Sequence, residues 1–465
     1  MNDILIPINF LLYGLIQVIF VILLSPNIFL YLMVTIIALV SCFVSFNFAV
    51  IFHLMALSII SIFYSLNKEE DVFSPVRVFT AIWFIAIGIS NLRISIYETP
   101  WSSYLWFNVL ISILAFYLGA FIVRSMNGHG FVALNEIKAR IKYTWSAIKS
   151  KMLLFIIFII SIVTIICEFN YAGAIPLFAG AFGIYVDSAR AAMAINSYVH
   201  RIALSLVNVF TLSCFYIMLR NKDRASKNVL PFFTAMASLG LILLTASRLF
   251  LGTMIVPMVI GYNYLVKRIH KRTLVILAVA IFLLLVVSVA VVRNILPFDY
   301  LQEIGFSPNV AWLAPGYLSI SMNFWVFDRV LEEMGSSFPF GFGWNSLYPL
   351  RVLFGSKDRG MEGLTAGLVP GAEWVTGTYL NEFYMDFGLI GVVLFPFLIG
   401  LISSLIYMRM RHKPSALNIF LYSYIAWNII FSIYANGFIL FDFLWNVLFF
   451  YVFDLIVREK KREYA

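Results

Sequence analysis

The sequence predicts an all-α, polytopic integral membrane protein with about 13 (12–14) transmembrane helices and a long, partly helical outer loop. Three observations predict it. Hydrophobic residues make up 62% of the 465-residue chain and charged residues only 12%, against roughly 25% charged in soluble domains. The apolar residues fall in runs of about 18 to 25, the length that crosses a hydrocarbon core ~30 Å thick. Lysine and arginine gather in clusters separated by two runs each, as the positive-inside bias requires of loops on one face of a membrane. The formal net charge of +9 therefore reads as topology and attraction to anionic lipid, and no nucleic-acid partner is expected.

In chain order the runs lie near 4–24, 28–45, 47–66, 76–95, 103–123, 152–171, 202–219, 229–245, 248–266, 273–292, 388–408, 416–436 and 440–457. Residues 28–66 are too long for a single span, and Asn47 is the one break within them. The N-terminus has no Lys or Arg before its first run and no A-x-A-like site, so a cleaved signal peptide is not expected. No inverted internal repeat of the transporter kind is present. The basic clusters are the 124–151 loop, RNKDRASK (220–227), KRIHKR (267–272), RMRHK (409–413) and REKKR (458–462). Together they put those segments in the cytoplasm and the N-terminus outside. The whole chain, 1–465, then reads as one transmembrane domain with two substantial outer segments, 172–201 and 293–387. The second is too long for a structureless connection. Its stretch Ser319–Gly335, which interleaves aromatic and charged residues without Gly or Pro until its end, predicts an amphipathic helix near the membrane surface.

Arginines stand where the positive-inside bias should leave none. From Lys267 back to Arg248 is 19 residues, roughly 28 Å of helix, a full hydrocarbon thickness. The same reasoning carries Arg272 to Arg293 and Arg220 to Arg201. Arg190 lies in the first outer segment, and Arg329, Arg351 and Arg359 in the second. Snorkelling or pairing with a nearby acid is the plain account for Arg201, Arg329 and Arg359. Arg248, in TASRLFLGTM, has no acid close in sequence. Guanidinium binds phosphate oxygens bidentately and stays charged when desolvated. Arg190, Arg248, Arg293 and Arg351 are therefore candidates for holding a phosphate carried on a lipid.

Carboxylates gather in the same segments, and most read as solvated or arginine-paired. Glu373, Glu382 and Asp386 are better candidates for general base, because they stand where the chain returns to the membrane and burial can tune a carboxyl. His200, the one histidine in the two outer segments, is a further candidate beside its plainer role as an interfacial residue. Cys42, Cys167 and Cys214 sit in apolar runs without metal-ligand spacing and read as buried small hydrophobes. No nucleotide, dinucleotide or serine-hydrolase motif is present, and neither a cofactor nor a metal is expected.

Several short motifs carry a family likeness. They are a Thr and an Asn ahead of FYMDFGLIGVVLFPFLIG, the AGAIPLF that follows a span with a loop Arg after it, the Ser247–Arg248 pair opening a span, and GFGWNSLYPL in the long loop. In these the chain resembles the bacterial oligosaccharide repeat-unit polymerases (the Wzy-type O-antigen and capsule polymerases). The likeness covers most of the chain in layout and these motifs in sequence. A pattern of some members, Arg, ten residues and then Gly in both outer loops, is not matched: Arg190 is followed at that distance by Arg201, and Arg293 by Ile304, one residue short of Gly305.

The resemblance implies a glycosyltransferase of the bacterial cytoplasmic membrane. It would move a growing glycan from undecaprenyl diphosphate onto a new undecaprenyl-diphosphate-linked oligosaccharide at the outer face. Membrane lipids would be its surroundings and a chain-length-regulating co-polymerase a partner. Two rivals are a lipid-linked oligosaccharide flippase, which should carry ionisable groups near the midplane, and an O-antigen ligase or peptidoglycan-type polymerase, which differs in acceptor.

Overall fold

The computed structural model describes Asn9 and residues 71–95, 98–126, 136–141, 143–179, 186–193, 197–220, 228–283, 306, 314–335, 339–354 and 377–460. Apart from Asn9, the three runs expected before residue 70, as well as Arg293, Arg359 and Glu373, lie outside them. The structure is mostly helical, 79%. Its helices are α1 (Pro75–Ser90), α2 (Ser103–Met126), α3 (Ala147–Ala172), α4 (Pro176–Ala179), α5 (Val186–Met193), α6 (Ser197–Leu204), α7 (Leu206–Leu219) and α8 (Val229–Leu244). They continue with α9 (Arg248–Leu265), α10 (Lys271–Leu283), α11 (Ala314–Glu333), α12 (Tyr348–Leu353), α13 (Leu380–His412), α14 (Ala416–Phe431) and α15 (Phe441–Val457). Two short strands, β1 (Tyr143–Trp145) and β2 (Arg458–Lys460), pair antiparallel.

Helices fall where the apolar runs predict them. Four stretches, Ser103–Met126, Ala147–Ala179, Tyr198–Leu219 and Leu380–His412, are long and apolar enough to cross a membrane, and α1, α8, α14 and Leu249–Leu265 are shorter apolar helices. The total of about 13 spans remains an expectation for the whole chain. Local chemistry sets several ends. Pro75 opens α1, where its missing N–H costs nothing, and Gly173 closes α3 in the left-handed conformation at φ 67°. On α3 the buried positions Ser150, Leu154, Phe158, Ser161, Ile165 and Glu168 recur every three or four residues. The exposed ones include Ile156, Ile159, Ile160 and Val163. A helix whose polar groups face inward and whose aliphatic groups face outward suits lipid surroundings.

The chain forms two compact units. The first draws on residues 1–130, 298–408 and 428–441. Within it α2 and α13 cross at a pair of glycines. A Cβ on Gly119 would collide with the Phe397 carbonyl oxygen, and one on Gly400 with that of Phe116. This reciprocal small-residue contact lets two backbones touch, the usual way helices associate in lipid. One end of the unit gathers the connection after α1, α11, the start of α13 and the turn after α14. Trp83 donates to Ser432 at 2.8 Å, the Tyr379 amide to the Ser432 carbonyl at 2.9 Å, and Asn323 to the Ile433 carbonyl at 3.2 Å. At the other end the Tyr407 hydroxyl reaches Asp71 at 2.9 Å.

The helix expected at Ser319–Gly335 is present as α11, with its aromatics Phe324 and Phe327 turned into protein and Arg329 and Glu332 left partly exposed. Met322, Phe324, Val326, Phe327 and Val330 are all buried, so no broad face is left outward. The reason is a supply of partner rings: Phe324 stacks on Trp101 at 4.9 Å and meets the edge of Trp83 at 5.7 Å. Such contacts add to the burial of ring area itself.

The second unit draws on 131–297, 409–427 and 442–465. Phe158, Ile165, Phe210, Ile242 and Met254, from α3, α7, α8 and α9, share its core. At one end β1 and β2 join, Trp145 donates to the buried Asp454 at 2.7 Å, and Arg220 reaches the Trp145 carbonyl at 3.3 Å. Parts of three basic clusters thus meet at one end, as their shared placement required. The opposite end carries α4–α6, which the sequence reading left as loop.

Two predictions follow from these contacts. Gly119→Ala and Gly400→Ala should each lower the thermal stability of the purified protein, overpacking of this kind costing about 1–3 kcal/mol. Gly240, whose Cβ would meet nothing within 4 Å, should accept Ala without loss. Equal melting temperatures for the three variants would refute the tight crossing. The second concerns Glu98, whose carboxylate takes hydrogen bonds from Tyr317 at 2.6 Å and the Ser95 amide at 3.0 Å. Burial pushes its carboxyl above the ordinary value, outweighing those bonds. A carboxyl raised on folding contributes stability below its unfolded pKa and loses it as pH rises through the folded one. Glu98→Gln should therefore melt higher than the parent at pH 8 and equally at pH 4. A gain independent of pH would contradict the burial account.

Candidate functional site

In the second unit the chain leaves α3 at Gly173, runs through Ala174–Ile175 into α4, and then forms α5 and α6. Ala179 of α4, Ala189 of α5 and Ala246 cluster, with Ala174 and Leu177 packed against them. This brings the helix bearing Arg190 against the turn that leads into α9. Ala246 adopts φ 53°, an unusual conformation for a non-glycine residue. Ser247 follows as the extended N-cap, and Arg248 is the first residue of α9. The backbone thus sets the Arg190 helix and the Arg248 position at one end of one unit.

His200 lies on α6 at the same end. Its Nδ1 is 2.9 Å and 3.1 Å from the two carboxylate oxygens of Glu168, which is fully buried in the last turns of α3. An ionised carboxylate only accepts, so in a neutral imidazole paired with one the proton sits on Nδ1 and Nε2 is the acceptor nitrogen. A carboxylate that fixes tautomer and ring orientation is the arrangement that makes an imidazole a competent base. One residue further on, Arg201 pairs with Asp442 at the start of α15, the plain role expected of it. Arg329 likewise pairs with Glu332, at 2.7 Å.

In the first unit, α13 is two helical pieces joined at Gly388, where φ 57° and ψ −141° break the helix. Residues 12 apart on a straight helix are about 18 Å apart, yet Phe383 stacks on Phe395 at 4.2 Å. The chain therefore doubles back, and Gly391 allows it, since a Cβ there would strike the Phe383 carbonyl oxygen. Asp386 stands just ahead of the break, fully buried. Its Oδ1 accepts from the Asn345 amide (3.0 Å) and side chain (2.9 Å), and its Oδ2 from the Ser346 amide (2.6 Å) and hydroxyl (2.5 Å). With both oxygens so engaged, this carboxylate organises the GFGWNS loop. Glu382, one turn earlier, is half-buried. Arg351 lies on α12 with its guanidinium 4.0 Å from the centre of the Trp344 ring.

Of the residues singled out from sequence, the second unit collects Arg190, His200 and the Arg248 position, and the first collects Arg351, Glu382 and Asp386. Sequence reasoning missed Glu168. The signal was available: it is the one acid in the apolar run 152–171, and an ionisable group inside a span is a functional candidate by default. It also missed Asn345 and Ser346, which carry no pattern until Asp386 is seen to need donors.

No curated protein and no solved structure matches the chain. The family model of the O-antigen polymerases matches residues 71–439. That stretch includes the AGAIPLF turn, the Ser247–Arg248 cap, the GFGWNS loop and the reversal at Gly388. With most of its length under that model, the chain belongs to the O-antigen polymerase family of membrane proteins that join repeat units in polysaccharide synthesis.

Proposed function

We propose that the protein polymerises undecaprenyl-diphosphate-linked oligosaccharide repeat units into a surface polysaccharide, at the outer face of the bacterial cytoplasmic membrane. One multi-pass transmembrane domain, 1–465, would carry the reaction. The observation that carries this reading is His200, oriented by the buried Glu168 at the end of the unit that also presents Arg190 and the start of α9. An acceptor sugar hydroxyl attacks the anomeric carbon of the donor glycan. His200 Nε2 takes the hydroxyl proton, the bond from that carbon to the diphosphate oxygen breaks, and the electron pair leaves with the diphosphate. Arg190 and Arg248, with Arg293, hold that diphosphate and meet the charge developing on it; Arg351, in the first unit, is a separate candidate for binding a phosphate. Glu373, Glu382 and Asp386 are the remaining carboxylate candidates.

The test is a ladder assay with labelled lipid-linked repeat units in membranes holding equal amounts of each variant. His200→Gln should abolish the ladder, and Glu168→Gln, which keeps the shape but loses the anionic acceptor, should slow it by about 10²-fold or more. A wild-type ladder from His200→Gln would remove the imidazole from the mechanism. Arg248→Lys keeps the charge but loses the planar fork, so polymer should fall by roughly tenfold to a hundredfold, the equivalent of ~1.5–3 kcal/mol. Wild-type polymer from Arg248→Ala at normal abundance would leave Arg248 a snorkelling residue.

A further inference from the structure

We propose that the segment Phe342–Phe354 is seated in the headgroup–acyl boundary of the bilayer, and that its partner is phospholipid. The inference concerns what this segment touches and holds independently of the glycosyl-transfer chemistry. Phe342 is 81% exposed and Phe354 90%, with Leu347 and Leu350 each about half exposed and Trp344 close behind. Leu347, Leu350 and Phe354, at i, i+3 and i+7 across α12 and its flanks, share one helical face. Contiguous apolar surface of this kind marks a contact with something other than water.

Two features name the partner. The first is continuity with a span. The Phe340 ring lies against Gly388, and Gly343 lies beside Phe387, so the loop rests on the break in α13. From there the outward apolar face of the spanning piece begins at once, with Leu389, Ile390 and Leu394, Ile390 being 70% exposed. The patch therefore extends a surface that already requires hydrocarbon around it. The second is the residue set. The Arg351 guanidinium lies over Trp344 at 4.0 Å and near Tyr348 at 5.7 Å, and Trp, Tyr and Arg are the residues that settle at headgroup level.

The backbone is held to present this patch. Phe342 has φ 47°, a conformation that is an outlier for a bulky L-residue. Its amide donates to the Asp386 carbonyl at 3.0 Å, and that of Gly341 to the Met385 carbonyl at 2.9 Å. With the bonds to the Asp386 carboxylate, these keep the Phe342 ring pointing outward against its local preference. Immersed in lipid, that ring gains what exposure to water would cost.

The experiment uses the full chain in nanodiscs of phosphatidylethanolamine and phosphatidylglycerol, with Cys42, Cys167 and Cys214 replaced. Nitroxide labels go singly on Phe342→Cys, Leu350→Cys and Phe354→Cys, and collision rates with oxygen and with a water-soluble nickel chelate are compared. Ile390→Cys serves as the lipid reference and Glu332→Cys, half exposed, as the aqueous one. The three labels should give the oxygen-favoured ratio of Ile390→Cys. The nickel-favoured ratio of Glu332→Cys would overturn the proposal, and so would low access to both reagents, which would mean a protein or a second copy covers the patch. Leu350→Cys and Phe354→Cys leave the strained residue intact, so the answer does not depend on how Phe342→Cys folds.

Discussion

The break at Gly388 is the constraint on which one end of the first unit rests. An intact helix would carry Leu380–Phe387 straight on from the spanning piece. The reversal instead folds those residues back until Phe383 lies on Phe395, placing Asp386 where Asn345 and Ser346 can use it. Interrupted backbone is tolerated at membrane depth only where protein covers the freed groups. That cover is supplied here by the 340–347 loop, whose Gly341 and Phe342 amides bond the Met385 and Asp386 carbonyls. Two glycines permit the geometry for different reasons: Gly388 has a backbone angle that side chains resist, and Gly391 has no room for a Cβ.

The second unit is organised by a different principle, the placement of charge along a single helix. On α3 one face carries aliphatic residues outward and the other ends in Glu168. That carboxylate is too costly to bury unless a partner meets it, and His200 is the partner. The same contact of 2.9 Å sets the orientation of the imidazole.

The layout was legible in the sequence because the membrane imposes it. Runs of apolar residues mark where α1–α3, α7–α10 and α13–α15 fall, though not α4–α6 or α12, and the apolar run after Asp386 begins at the actual break. The site was legible only in part. Arg201 and Arg329 behaved as the plain reading expected, each finding an acid. Asp386 was read as a candidate base, and its surroundings also make it a fastening point, since four donors from a loop some 40 residues earlier in the chain converge on it. No local pattern reveals such a long-range demand. The immersion of α11 was hidden for a related reason: its aromatics look amphipathic until Trp83 and Trp101, more than 200 residues earlier, supply the opposing rings.

The pairing of β1 with β2 carries a consequence for how the protein is made. Tyr143–Trp145 lies about 300 residues ahead of Arg458–Lys460, so the seam cannot close until everything from α3 to α15 has been made. The buried Asp454 that receives Trp145 arrives only a few residues before β2. Until α15 is inserted the second unit has one end unfastened and the Trp145 indole without its carboxylate, so a substitution that hinders insertion of α15 would leave the seam open.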